Sequence, residues 1–375
     1  MQTNHTPHGH PIGYYQLARG LGMLFIIAGH SITPFFDKQA AMTAETWFSG
    51  AGSVFGGGVM AMFFMISGAG LARNAGIGMR GVLRAQWQYL IKPYTLSAAA
   101  ILLCKILLAI LRARPFSENG GELVLTFLLG LNAEGGGTFF GFPVDSVGVF
   151  WFLLALGGGN VLVYFIGQIQ KPFLRLTAAV LCMLAGCVLG TLSPYWVFCL
   201  PLSLIAAGYL YAGQTVGQYA LAEPETRIPW YAHLCMGAVI VVSFARGAVN
   251  LVSCEWRLGM LDLAATVFVG FYLLRLYARL ARYLPERGGG IFLGFAENVG
   301  RYSMQILCIH AFEKMLFPWY RLGDPGYRLN DLLPETPVLC AALCFVGRMV
   351  LIFWILWLAE TVRRWGRRGW RIGWN

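Results

Sequence analysis

The chain is patterned in long apolar runs separated by short polar stretches. Ten runs have the length of about 20 residues that a bilayer crossing needs. They are Tyr15–Phe36, Gly50–Leu71, Ile91–Leu111, Gly148–Gly167, Leu174–Leu192, Tyr195–Gly213, Pro229–Ala245, Gly259–Tyr277, Tyr302–Tyr320 and Pro337–Leu358. Between the third and fourth, the 112–147 loop holds a short apolar piece, E-L-V-L-T-F-L-L-G-L-N, followed by E-G-G-G-T-F-F-G-F-P-V-D-S. That piece cannot cross, so it is expected to form a re-entrant or surface segment capping the bundle from outside. Between the eighth and ninth runs lies a basic, Gly-rich linker, Arg279 to Arg301. Its second half, I-F-L-G-F-A-E-N-V-G, is expected to lie amphipathically along the membrane interface. The pattern predicts an all-α polytopic membrane protein of about ten transmembrane helices. It is organised as a tail at 1–14, one membrane domain at 15–360 and a basic tail at 361–375, with no internal repeat.

Composition agrees with the pattern. The chain is 57% hydrophobic and only 12% charged, where a soluble domain carries about 25% charge, so its solvent is largely lipid. Forty-seven glycines suit helices that pack closely in a membrane. The first ten residues hold no Lys or Arg and the run behind them is long enough to span, so the first helix is expected to be retained rather than cleaved. The nine cysteines form no C-x-x-C pair and lie mostly in apolar runs, which predicts neither a disulfide framework nor a metal site. His5, His8 and His10 resemble a metal cluster by number alone.

The net charge of +11 is distributed by topology. With a cytoplasmic N-terminus, the inner side collects Arg73, Arg80, Arg84, Lys92, Arg275, Arg279 and the tail arginines Arg363 to Arg371, while the outer side holds fewer. Both termini are then cytoplasmic, the protein is a multi-pass component of the cytoplasmic (inner) membrane, and the basic tail is an anchor on anionic lipid rather than a nucleic-acid site. Oligomeric state is open, a homo-oligomer included.

One pair of residues suggests chemistry. Arg19 and His30 are about 16 Å apart along an ideal helix and only about 20° from the same face. The first helix thus carries a cation near its cytoplasmic end and a titratable imidazole deeper in, on one line. A guanidinium suits a phosphate-bearing ligand and an imidazole suits proton transfer from a hydroxyl. Packing alone is the competing account: an arginine snorkelling at the boundary and a histidine bonded to a neighbouring helix.

The spacing resembles the R-x10-H signature of the acyltransferase-3 family of integral membrane O-acyltransferases. F-F-M-I-S-G (Phe63–Gly68) resembles its second-helix F-F-x-x-S-G, and M-R-G-V-L-R-A-Q-W-Q-Y-L-I-K-P-Y (Met79–Tyr94) its basic stretch leading to Pro-Tyr. F-W-F-L-L-A-L (Phe150–Leu156) resembles its W-F-L helix, and N-V-G-R-Y-S-M-Q-I-L-C-I-H (Asn298–His310) its late G-x-x-S-x-x-x-Y-x-x-H segment. Two positions depart from the family: Gln16 stands where many members have an acid, and Leu307 or Cys308 near the usual late tyrosine.

The resemblance implies an enzyme that takes an acyl group, acetyl first among the candidates, from cytoplasmic acyl-CoA to a hydroxyl of a cell-envelope or exported carbohydrate. No metal is implied. His30 would be catalytic, as general base or as acyl carrier, and both remain open. Arg19, Arg73, Arg80 and Arg84 would hold the CoA phosphates, although the latter three also read as positive-inside anchors. Ser67, Trp151, Ser303 and His310 are candidate site-lining residues. Ser67 with Gly68 reads equally as a helix contact, Trp151 as an interface-belt residue, and His310 as an interhelical hydrogen bond. Asp262 or Glu297 is the expected partner of Arg348 or Arg301. The rival readings are a carrier or exporter of a saccharide or acylated metabolite, and a non-catalytic subunit scaffolding glycan synthesis.

Overall fold

The computed structural model describes residues 13–32, 47–73, 78–111, 120–193, 195–283, 290–317, 319 and 337–372. Its helices are α1 (Gly13–Ile32), α2 (Trp47–Arg73), α3 (Met79–Gln86), α4 (Lys92–Leu111), α5 (Gly120–Leu129), α6 (Trp151–Gln168) and α7 (Pro172–Leu192). They continue as α8 (Leu200–Gln218), α9 (Trp230–Arg246), α10 (Met260–Tyr283), α11 (Gly290–Arg301), α12 (Ser303–Leu316) and α13 (Pro337–Ile372). Seven stretches are long and apolar enough to cross a membrane: 52–71, 79–111, 148–168, 172–192, 197–218, 260–283 and 339–362. The other three expected runs coincide with α1, α9 and α12, which are shorter or more polar.

Small residues build the centre. Gly213 and Gly217 of α8 lie on the backbone of Met65 and beside Ala69 of α2, while Gly68 of α2 meets the carbonyl of Leu210. A Cβ on Gly68 would stand 2.0 Å from that oxygen, so only glycine permits the crossing. Gly58 of α2 similarly faces Val269 and Gly270 of α10. Because lipid is as apolar as leucine, this close backbone contact, rather than burial of apolar side chains, draws the helices together. The more peripheral helices α4, α7 and α13 turn large apolar residues outward, such as Leu103, Leu181 and Trp354.

Tight geometry is concentrated at the helix joints. A π-helical turn, Trp87–Ile91, joins α3 to α4. Phe198 and Cys199 adopt left-handed backbone before α8, where Phe198 meets Gly130 and the Cys199 thiol donates to the Gly130 carbonyl. Pro172 starts α7, where its missing N–H has no helical acceptor to lose.

Residues 120–147 form a helix and a hairpin. Helix α5 is ten residues long, too short to cross. It is followed by an antiparallel hairpin, β1 (Asn132–Phe139) with β2 (Phe142–Ser146). The connecting Phe140 and Gly141 both have positive φ, as a two-residue hairpin turn requires. Thr126 of α5 accepts the Asp145 N–H, and Tyr94 of α4 donates to the Phe127 carbonyl, so helix and hairpin are tied to the bundle. A second small hairpin, β3 (Val249–Asn250) with β4 (Glu255–Trp256), packs nearby, and Asn132 donates to the Val252 carbonyl between its strands. This second hairpin is held by Asp262, which is wholly buried and accepts from the Ser243 hydroxyl and the Ala248 and Leu258 N–H groups. Asp262 is therefore a loop anchor and not the partner of Arg348.

The stretch expected along the interface forms an amphipathic helix, α11, that packs one face on α1. Helix α11 lies against α1 so closely that a Cβ on Gly20 would be 1.8 Å from the Ala296 carbonyl oxygen, and one on Gly300 as close to that of Gln16. Its exposed face still carries Ile291 and Phe292. A break at Tyr302 leads directly into α12.

Candidate active site

The glycine crossing sets up the site. Gly20 lies beside Gly300, and ten residues further along each chain segment the rings of His30 and His310 meet, with centroids 5.2 Å apart and planes tilted by 36°. Two contacts at the same offset mean that α1 and the α11–α12 run are parallel and in register. His30 and His310 are thereby brought to one depth by a backbone contact three turns away.

His310 has no exposed surface, and its Nδ1 lies 2.7 Å from Oε1 of Glu313, one helical turn on. That same oxygen accepts from Nη1 of Arg348 on α13 at 3.5 Å. Glu313 is fully buried and Arg348 nearly so, and the guanidinium sits 5.1 Å from the ring centroid of Trp319. The carboxylate is therefore balanced by a buried cation, the arrangement that a buried charge requires. Cys344 of α13 stands within hydrogen-bonding reach of both Arg348 and Ser31. His30, at the open edge of this cluster, is only partly covered.

Toward the other end of α1, Arg19 is half-buried. Among the described residues it has no hydrogen bond or ion pair. The nearest turn offers Gln16, whose side-chain oxygen is itself buried without a partner. With Gln16 in place of an acid, the guanidinium has no built-in counter-charge and is open to an anionic group from outside the protein.

The other expected residues are placed variously. Arg80 and Arg84 are exposed on α3, which packs on α6, so they do not join the histidine cluster. Arg73 ends α2, and its side chain lies outside the described ones. Ser67 is half-buried beside Gly68, whose role is the α2–α8 contact. Ser303 is half-buried at the first position of α12. Trp151 is not a belt residue: it is buried in the aromatic core, tilted against Phe64 and edge-on to Phe152. His5, His8 and His10 lie outside the described residues. Among the described residues, no three His, Cys, Asp or Glu side chains converge as a metal site would need.

Glu313 is the residue that sequence reasoning passed over. Its signal was present in H-A-F-E, an acid one turn after a histidine inside an apolar run, where an unpaired carboxylate is costly. Arg348 stood out as a membrane-depth cation, but its partner is Glu313, not Asp262 or Glu297.

Residues 12–358, nearly the whole chain, match a family model described as an acyltransferase domain. No curated protein and no solved structure matches the chain.

Proposed function

The chain belongs to the acyltransferase-3 family and is a multi-pass membrane acyltransferase, and from that premise we propose that it carries an acetyl group from cytoplasmic acetyl-CoA to a carbohydrate hydroxyl of the cell envelope. The observation that carries the reading is the line on α1: at one end an arginine with no partner among the described residues, and at the other a partly open histidine in a buried polar cluster. In this proposal Arg19 pairs with a phosphate of CoA, as a charge-assisted contact, and Arg73, the last residue of α2, is a second candidate for the same task. His30 acts as general base on the acceptor hydroxyl. As the acyl–oxygen bond forms, the acyl–sulfur bond breaks and CoA leaves as the thiol. An acyl-histidine route would use the same ring, but a base role uses the buried acid–histidine pair beside it as well.

The proposed arrangement has ten crossings, the α11–α12 run serving as the ninth, with both termini on the cytoplasmic side of the inner membrane. Parallel packing of the first and ninth crossings, and of α2 with α8 and α10, supports this alternation. No metal enters the scheme.

The test uses membrane vesicles holding the full chain, supplied with acetyl-CoA labelled in the acetyl group. Label appearing in the saccharide fraction, dependent on the chain, supports the proposal. A chain that moves saccharide across the vesicle membrane while leaving acetyl-CoA intact would replace it with the carrier reading.

A further inference from the structure

His310 does more than fill a core. An ionised Glu313, balanced by Arg348, has only acceptor oxygens, so the proton between it and His310 belongs to Nδ1 of the ring. The second nitrogen, Nε2, is then a bare lone pair. It is buried and has no partner among the described residues. A histidine whose task was to bond one helix to another would satisfy both nitrogens. This one is held at one nitrogen and left basic at the other, beside the partly covered ring of His30.

We propose that His310 is a positioning residue of the transfer site, fixed by Glu313 as the Nδ1–H form so that its bare Nε2 receives the proton that His30 takes from the acceptor. This rests on the acyltransferase reading above and adds the group that acts through His30. The acceptor O–H gives its proton to His30 as the acyl–oxygen bond forms. A turn of the His30 ring brings its N–H to Nε2 of His310, and the positive charge is then shared with Glu313. The proton returns by the same route to the departing CoA sulfur, leaving both rings neutral. Besides Glu313, the ionisable groups near the two rings among the described residues are Lys314 on α12 and Arg348 and Cys344 on α13, while α1 contributes Ser31. The two cations oppose a second positive charge at the rings, and Glu313 is the group that makes it tolerable.

The discriminating variant is His310→Asn. Its amide N–H₂ can replace Nδ1–H toward Glu313, so a purely structural role survives, whereas Nε2 is lost. In the labelled vesicle assay we expect His310→Asn to keep its melting temperature and its KM for acetyl-CoA while kcat falls at least tenfold. Glu313→Gln provides a second measurement, because its amide can donate to the ring and move the histidine proton to Nε2. Histidine ¹⁵N resonances of the wild type should then show His310 as Nδ1–H and those of Glu313→Gln should not, and the pH profile of kcat should shift in that variant. Wild-type kcat in His310→Asn, or an Nε2–H form of His310 in the wild type, overturns the proposal. If His30→Ala abolishes transfer while His310→Asn does not, this inference fails and the acyltransferase mechanism stands. If His30→Ala is also active, both fail.

Discussion

Arg19 and Glu313 show how differently two charges in an apolar environment can be treated. Glu313 is enclosed, and its Oε1 is paired with both His310 and Arg348, whereas Arg19 is half-buried and, among the described residues, unpaired. The first is built to stay and the second to receive. Replacing Arg19 by alanine should therefore raise the KM for acetyl-CoA with little change in kcat. A hydrogen bond to a charged group contributes about 1.5–3 kcal/mol, so the increase should be roughly tenfold to a hundredfold; steady-state kinetics over a range of acetyl-CoA concentrations checks it. The line from Arg19 to His30 was legible because helical periodicity places residues eleven apart on one face. The acid behind His310 was not, because H-A-F-E has no family spacing to single it out and its partner Arg348 is distant in the chain. Asp262 misled for the same reason: sequence marks it as a buried charge but cannot show that its acceptors are filled by the Ser243 hydroxyl and two backbone N–H groups.

At the scale of elements, the register of α1 against α11–α12 is the decisive contact. It depends on Gly20 and Gly300, since a side chain at either would meet backbone rather than a movable group. Gly20→Ala should force the helices apart at a cost of about 1–3 kcal/mol and pull His30 from His310, so transfer should fall by more than the loss of folded protein explains. Gly29→Ala is the control on the same helix, because its Cβ would meet nothing within 4 Å; thermal melts and transfer rates of the two variants separate packing from helix content. The segment after the basic linker shows what hydropathy leaves open about α11. Its apolar face, marked by Leu293, Ala296 and Val299, is covered by protein, and an amphipathic pattern alone cannot tell protein from a lipid surface. The hairpin of residues 132–146 was invisible for another reason: its glycines read as loop, and only the positive φ at Phe140 and Gly141 reveals a tight turn.

Across the whole molecule, parallel pairs constrain how the chain is threaded. If α1 begins in the cytoplasm, α11 begins there too, so Gly290 at its start lies on the same side as Gly13. A side-specific cysteine label introduced at residue 290 and one at residue 13 should react from the same face of oriented vesicles; reaction from opposite faces would contradict the parallel register. That threading places Arg19 toward the cytoplasm, where the proposed donor is available, and His30 on the way to the other side. His30 is the centre of the proposed transfer, and its direct test is the rate of acetyl transfer from acetyl-CoA by His30→Ala relative to wild type, at saturating donor and with CoA binding verified. Loss of a general base predicts a fall of about 10²- to 10⁴-fold with CoA still bound. Transfer at the wild-type rate would contradict it.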